Sequence, residues 1–420
     1  MRKTVFLVNY TKLIFASLIV SILSVFLAKT LKTATAYYED LIFSKVSELP
    51  FLFLILPSIG ITIIYFLRKY LFKGKQNKGI KEIYATIQNR KNSLPAFKIP
   101  SHYVNGFLTV IFGGSTGIEV STVVATAAIG STAHKKIGVA QLFKTELICA
   151  GVTAGIAILF ASPITGLFFA LEVIAKKINK SILISCGVAA LFSWFFISFI
   201  KGTPLFSFTI NGWNSYAIPY FILLALIAGF IAVYFTKSVI YIKSFFGKIN
   251  NNFIRVNVGA VLVGLSILYF PQLFGDSYAA IPELLKQIEI EIFSNSLVFL
   301  LLFLIILKPL AASLTLGAGG DGGVFAPGIV TGAFLGMLVA ILLNHFFDTH
   351  LIVVNFALVG AAAVLSAAIN GPLTALFLIC SIAPNGFALF VPVLMGSFIA
   401  KYAAQILCSY TVYSYNGKLA

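Results

Sequence analysis

Charged side chains are scarce in this sequence: they make up 10 % of its 420 residues, and only 13 residues are acidic. Soluble globular proteins carry about 25 % charged residues, whereas 59 % of this chain is hydrophobic. The composition therefore excludes an ordinary soluble domain and predicts an integral membrane protein. Alternation of polar and apolar residues with a period of two is also absent, which favours membrane-spanning helices over a β-barrel.

Cysteine and histidine are rare as well, with four residues of each. The cysteines lie within apolar stretches and are interpreted as small buried hydrophobic residues. No His-Glu-x-x-His motif occurs, and no histidine lies in the middle of an apolar stretch beside an obvious orienting carboxylate. Because a serine nucleophile needs a base, we expect that the protein is not an enzyme and that it uses neither a metal nor another cofactor.

Long apolar stretches fill most of the chain. A helix that crosses a bilayer needs about 20 apolar residues, and several stretches are too long for one crossing but too short for two. Tilted and half-length helices would resolve this mismatch, with no soluble domain. The stretches lie at about residues 4–28, 50–67, 140–175, 181–200, 216–236, 253–272, 295–316, 324–344 and 351–410.

Basic residues account for a formal net charge of +17, but they cluster beside the apolar stretches. The clusters lie at residues 2–3, 68–81, 176–180 and 237–248. Positively charged loops of membrane proteins usually face the cytoplasm. The pattern thus predicts a multi-pass protein of the cell membrane with a cytoplasmic N-terminus, and no nucleic-acid partner. The same charge would raise the anion concentration at the inner mouth of a pore.

Glycine-rich breaks in the apolar stretches recur at one spacing. Gly114 and Gly323 are 209 positions apart (323 − 114 = 209), and the same spacing relates Pro163 to Pro372. Repeats with broken helices are typical of transporters with a binding site near the bilayer midplane, and free N–H groups at a helix N-terminus suit an anion. The predicted repeats span residues 1–205 and 206–420.

These motifs resemble the CLC family of chloride channels and chloride/proton antiporters, whose signatures read GSGIP, GxEGP and GxFxP, followed by a late tyrosine. Gly323 to Pro327 matches GxFxP, and Gly114 to Ile118 fits the frame of GxEGP without its Glu or Pro. Asn77 to Lys81 lies where GSGIP belongs, and Tyr413 resembles the pore tyrosine. The resemblance runs from about residue 50 to the end of the chain.

The resemblance implies an all-α, polytopic membrane protein built as a two-fold inverted repeat of tilted and broken helices. It also implies a homodimer in the lipid bilayer, with one pore for chloride or another small anion in each subunit. Backbone amides and the Tyr413 hydroxyl would bind the anion as neutral donors, weakly enough to release it. The implied pore residues are Lys78, Gly79, Ser115, Thr116, Gly117, Ile118, Gly323, Val324, Phe325, Ala326 and Tyr413.

Departures from the family pattern bear on the activity. In this alignment Thr116 takes the place of the glutamate that gates the pore and carries protons. Val173 takes the place of a second, internal proton-carrying glutamate, and Glu172 is its acidic neighbour. Without both carboxylates, a passive chloride channel is expected. The alternatives are a chloride/proton antiporter that uses substitute acids, and a channel or transporter for fluoride or nitrate.

Three ionisable residues leave the alternatives open. Glu119 either interacts favourably with the start of its own helix or, after a shift of register, supplies the gate. Glu172 is either a structural residue or an internal acid, since an ionisable group inside a membrane is a functional candidate. Lys78 occupies the position of a serine that would bind the central anion. It either adds a positive charge to the pore or anchors a helix at the membrane surface.

Overall fold

The structure is a computed structural model that describes residues 2–72, 74, 77–89, 92–136, 143–291 and 293–415, with side chains from residue 9 onward. Among the basic residues noted above, Lys73, Lys75 and the side chains of Arg2 and Lys3 lie outside the described part. All regular secondary structure within the described residues is helical.

The helices of the first half include two that end in π-helical segments, Leu67–Leu71 after α2 and Phe169–Ala175 after α7. Their bounds are α1 Arg2–Ser47, α2 Leu52–Phe66, α3 Ile80–Gln88, α4 Lys98–Ile111, α5 Glu119–Lys136, α6 Lys144–Leu159, α7 Pro163–Phe168 and α8 Lys180–Phe199. Those of the second half are α9 Ile218–Gly247, α10 Asn252–Tyr269, α11 Ala280–Ile290, α12 Asn295–Ala318, α13 Phe325–Phe347, α14 Val353–Ile369, α15 Pro372–Ser381 and α16 Phe390–Leu407.

Eight helical segments of the described chain are long and apolar enough to cross a membrane, so the expected all-α, multi-pass architecture is confirmed. They are Asn9–Ser47, Leu52–Leu71, Lys180–Phe199, Ser215–Gly247, Asn252–Tyr269, Asn295–Ala318, Phe325–Phe347 and Gly386–Leu407. The two overlong apolar stretches are divided as anticipated, the first into α6 and α7 and the second into α14, α15 and α16. Helices α4 and α5 are not visible as apolar stretches, because serine, threonine and asparagine occupy many of their buried positions.

Helices α13 and α14 form the most buried layer. In the 18-residue apolar window of α13, 89 % of the residues are buried, against 28 % in that of α2, which faces outward. A Cβ atom at Gly332 would lie 2.2 Å from the Gly360 carbonyl oxygen, and one at Gly336 would lie 1.9 Å from that of Phe356. The backbones therefore approach so closely that only glycine fits, as in other small-residue contacts between membrane helices.

The two proline-led helix starts detected in the sequence pack against each other. The rings of Phe168 and Phe377 stack with centroids 4.7 Å apart and planes inclined by 8°. The Oγ atoms of Ser162 and Ser381 lie 2.9 Å apart beside them. Positions separated by 209 residues thus meet in space, although the boundary between the repeats near residue 205 stays a prediction.

The contact between α13 and α14 generates a test of packing. In Gly332→Val the side chain would clash with backbone that cannot move aside, so the loss of stability should exceed the 1–3 kcal/mol or so that is usual for overpacking. Thermal unfolding in detergent, followed by size-exclusion chromatography, would measure it. Gly187→Val on α8 is the matched control, because no atom lies within 4 Å of a Cβ there. Equal stability of the two variants would contradict the packing described.

Candidate anion pathway

A basic cavity of about 800 Å³ opens at the side of the molecule where α3, α5 and α13 begin. We call this cavity the basic vestibule. Asp321 is the one acidic residue among the described residues that line it. The resulting positive potential would concentrate anions at this mouth. The basic lining residues are Arg68, Lys69, Lys78, Lys81, Lys243 and Arg255.

The inner end of the basic vestibule is made of backbone from broken helices. Gly79, Gly323 and Val324 line it, and each lies at the start of a helix or just before one. A Cβ at Gly323 would lie 2.1 Å from the Val120 side chain and 3.4 Å from the Tyr413 hydroxyl, so this close approach requires glycine. Free N–H groups at helix starts and their positive dipole ends favour an anion here.

The Tyr413 hydroxyl is buried at this point beside the Val324 N–H, and no side chain or carbonyl among the described residues hydrogen-bonds to it. Buried hydroxyl groups are rarely left unpaired, so a polar occupant of the vestibule suits it. The side chain of Phe325 packs in the opposite direction, with its ring 5.7 Å from that of Phe160 and 5.6 Å from that of Phe169. The backbone at the start of α13 is thereby left to face the vestibule.

Thr116 joins the two broken loops. Its hydroxyl accepts a hydrogen bond from the Gly323 N–H at 3.0 Å and donates one to the Gly323 carbonyl at 2.9 Å. Its neighbour Ser115 is held by α12, since its N–H donates to the Thr315 hydroxyl at 3.1 Å. Neither of these two predicted pore residues lines the basic vestibule.

Glu119 is the first residue of α5, and its side chain is 4 % exposed. Its Oε1 accepts a hydrogen bond from the Tyr278 hydroxyl at 2.8 Å. A Cβ at Gly117 would meet both the Glu119 carboxylate and, at 2.7 Å, the Cβ of Ala326. The carboxylate thus folds back over Gly117, between the starts of α5 and α13. Gly117-Ile118-Glu119 also supplies the G-x-E of the family signature, three residues later than the frame chosen from the sequence.

A buried lysine lies behind this carboxylate. Lys308 of α12 is 0 % exposed, and its Nζ donates three hydrogen bonds. The acceptors are the Ser115 hydroxyl at 2.9 Å, the Ser277 hydroxyl at 2.7 Å and the Gly275 carbonyl at 3.1 Å. Asp276 is adjacent, and its N–H donates to Glu39 at 3.1 Å. The sequence offered a signal for Lys308, because an ionisable residue in an apolar stretch is a functional candidate.

Glu172 and Val173, the two positions considered for an internal proton-carrying acid, are not part of this site. Glu172 accepts hydrogen bonds from the N–H of Leu373 at 3.3 Å and from the N–H and hydroxyl of Thr374, both at 2.9 Å. It therefore caps the N-terminus of α15, as carboxylates do. Val173 is buried, and its carbonyl accepts a hydrogen bond from the Tyr84 hydroxyl at 2.7 Å.

A second acid, Asp321, lies in the loop before α13. It accepts a hydrogen bond from the Asn77 amide at 2.6 Å and pairs with the Nδ1 atom of His102 at 3.0 Å. Burial raises the pKa of the Asp321 carboxyl, but the imidazole of His102 and the charge of Arg68 outweigh burial, so this pKa lies below its usual range. Asp321 is therefore an ionised group in the wall of the basic vestibule.

Comparison with known proteins places the chain in a family. The model of the voltage gated chloride channel family matches residues 59–405. The chain belongs to this CLC family. It is 25 % identical over 375 residues to the H+/Cl− exchange transporter ClcA of Vibrio parahaemolyticus, covering 83 % of this chain and 76 % of that protein. It is 24 % identical over 372 residues to the ClcA of Yersinia pestis, with shares of 83 % and 74 %.

Solved CLC structures share the fold. A CLC-type fluoride/proton antiporter aligns with a TM-score of 0.77 at 22 % identity, over 96 % of this chain and 97 % of that chain. A slow cyanobacterial Cl−/H+ antiporter aligns with a TM-score of 0.78 at 20 % identity, over 96 % of both chains. The CLC-like arrangement of tilted and broken helices expected from the motifs is therefore confirmed.

The basic vestibule generates a test of Lys78, which is exposed on its wall next to Gly79. Replacing this charge in Lys78→Met should lower anion flux about two- to tenfold at low salt, because local positive potential concentrates the anion. The deficit should shrink at high salt, where charges are screened. Flux from liposomes at two ionic strengths would measure it. The control variant Lys286→Met removes an exposed charge outside the vestibule and should not change the flux. If Lys78→Met and Lys286→Met gave identical flux, Lys78 would not contribute to the anion pathway.

Proposed function

We propose that this protein exchanges chloride for protons, with Glu119 as the gate and the proton carrier. The observation that carries the proposal is the buried Glu119 carboxylate at the meeting point of the α5 and α13 N-termini. This replaces the expectation of a passive channel, which depended on assigning Thr116 to the gate. The names of the curated relatives, H+/Cl− exchange transporters, also favour the alternative of a coupled antiporter.

The proposed coupling follows from competition between two negative charges. An ionised Glu119 places a carboxylate where helix N-termini would otherwise attract an anion. When Glu119 takes up a proton it loses its charge, so its attraction to these helix starts weakens and chloride can occupy them. Departure of the chloride then favours loss of the proton and return of the carboxylate. Proton uptake and chloride occupancy are linked in this way, since each changes the affinity for the other by the same factor.

Two neighbouring side chains influence the balance between the charged and neutral forms of Glu119. The Tyr278 hydroxyl donates to its carboxylate and therefore stabilises the ionised form. Lys308 lies in the same buried region and adds a positive charge to it when protonated, where charges interact strongly. The basic vestibule would form the cytoplasmic mouth, in keeping with the positive loops of the sequence. The protein would work as a homodimer in the cell membrane with a cytoplasmic N-terminus.

Chloride is the proposed substrate because the curated relatives are chloride exchangers by name. The alignment with a fluoride/proton antiporter concerns the fold, and it makes fluoride the competing substrate to include in flux assays. Lys78, in place of a neutral hydroxyl, would add charge near the bound anion without selecting its size.

Purified protein in liposomes would test the exchange directly. An imposed chloride gradient should drive protons against their own gradient, and the reversal potential should depart from the chloride equilibrium value. Simultaneous chloride-electrode and pH recordings would measure both fluxes. Chloride movement without proton movement would show a passive pathway and overturn the proposal. Proton coupling with fluoride but not with chloride would correct the substrate.

The variant Glu119→Gln removes the proposed proton carrier and keeps the size of the side chain. Proton flux should fall at least about 100-fold, a loss typical for a positioned acid–base group, while chloride should still cross. The matched control is Glu283→Gln, since Glu283 is an exposed acid of α11. If Glu119→Gln exchanged protons as the unaltered protein does, Glu119 would not be the carrier.

A further inference from the structure

A buried proton carrier needs access to protons from the vestibule as well as from the opposite side. The positions first considered for an inner acid provide none, because Glu172 caps α15 and Val173 is apolar. We propose that His102 and Asp321 together form the proton-binding site on the vestibule side and supply Glu119. This inference rests on the proposed exchange activity and adds the residues that take up the proton.

The geometry of the pair suits a proton site. His102 of α4 is 0 % exposed, and its Nδ1 atom lies 3.0 Å from an Asp321 carboxylate oxygen. Asp321 also lines the basic vestibule, so the pair joins a buried imidazole to the cavity. Histidine changes charge in the physiological pH range more readily than other side chains. The pair thus places a side chain that can carry a proton beside a carboxylate of opposite charge.

Unpaired polar atoms continue from His102 toward α5. The Nε2 atom of His102, the Oδ1 atom of Asn105 and the hydroxyl of Ser121 are buried without a hydrogen-bond partner among the described residues. His102, Asn105 and Gly106 share one face of α4, since they are three or four residues apart. A Cβ at Gly106 would lie 2.6 Å from the Ser121 side chain, so this face packs on α5.

This row of atoms ends at the helix turn that carries the gate. Ser121 is two residues after Glu119, in the first turn of α5. Buried polar atoms without a protein partner are generally satisfied by ordered water. Water bonded to these atoms would complete a route for a proton between the imidazole and the gate.

The proposed transfer is balanced. A hydronium ion in the vestibule gives its proton to the His102–Asp321 pair and is left as water, and the imidazole becomes an imidazolium with an N–H bond on each ring nitrogen. The imidazolium then loses its Nε2 proton to water bonded to the row of polar atoms, this water passes a proton on, and the Glu119 carboxylate receives one as its O–H. The pair is again a neutral imidazole beside a carboxylate, and the net result is one proton moved from hydronium to Glu119.

Charged groups surround the pair on several sides. Arg68, at the end of α2, interacts with the Asp321 carboxylate and donates to the Gly319 carbonyl at 2.7 Å. Lys243 of α9 also interacts with Asp321, and Arg255 of α10 faces Arg68. On the remaining side Asn77 connects to the ion pair of Lys98 and Glu82, 2.8 Å apart. Positive groups predominate around the pair, and Asp321 is the negative group that lies against the imidazole.

The test compares proton and chloride fluxes of the purified protein in liposomes for His102→Gln and Asp321→Asn. The number of protons moved per chloride should fall at least about tenfold, a conservative share of what a positioned acid–base group contributes. Chloride flux of His102→Gln should stay within about twofold of the unaltered protein, since His102 does not line the basic vestibule. Asp321→Asn also removes the negative charge of the vestibule wall, so for this variant only the ratio of protons to chloride is compared. Lowering the pH on the vestibule side should raise proton flux in the unaltered protein and have a weaker effect in both variants.

Matched controls are His345→Gln and Asp348→Asn, which remove exposed groups at the far end of α13. Unchanged coupling in His102→Gln would overturn the inference. Loss of both the proton flux and the chloride flux in a folded variant would also overturn it, because it would show that the side chain only stabilises the loop before α13. If Asp321→Asn fails to fold, His102→Gln decides the question. Absence of proton coupling in the unaltered protein would instead count against the proposed function.

Discussion

The reciprocal hydrogen bonds between Thr116 and Gly323 are the interaction on which the pathway depends. One hydroxyl binds the N–H and the carbonyl of the same glycine, 207 residues away along the chain. In a buried, low-dielectric site such bonds are strong and costly to leave unmade. They hold the loops before α5 and α13 together, so that two helix N-termini point at one place. The vestibule wall, the Tyr413 hydroxyl and the Glu119 carboxylate are all positioned relative to that point.

Charge compensation is the second constraint, because isolated charges inside a membrane protein are expensive. Lys308 is fully buried and is surrounded by hydroxyl and carbonyl oxygens, with Asp276 and Glu119 nearby. On the vestibule side the signs are reversed, because Asp321 is a negative group among positive ones. A bound anion and a bound proton each alter this balance. An arrangement in which proton uptake offsets anion entry costs less than either event alone, and this is the physical basis of the proposed coupling.

Sequence patterns predicted the fold well, since runs of apolar residues about 20 long report membrane crossings directly. Gly-rich and Pro-led segments likewise marked the starts of α7, α13 and α15. The gate position was harder to place, because the glycines from Gly113 to Gly117 allow more than one register and the local sequence does not fix where α5 begins. The start at Glu119 is set by the tertiary bonds of Thr116. Helices α4 and α5 were not predicted from the sequence, because their buried polar faces lower the hydropathy that identifies a membrane helix.

The proposed separation of the anion and proton routes follows from the sign of the vestibule charge. A cavity lined by basic residues attracts chloride and repels protons, so a proton site open to the whole cavity would be poorly occupied. Asp321 alters the field locally, and the buried imidazole of His102 lies behind it, away from the anions. The polar face of α4 packs on the first turn of α5, whereas Tyr413 lies beside Gly323 at the inner end of the vestibule. In the proposed mechanism anions enter through the positive cavity and protons through a shielded acid–base pair, and both meet at one carboxylate.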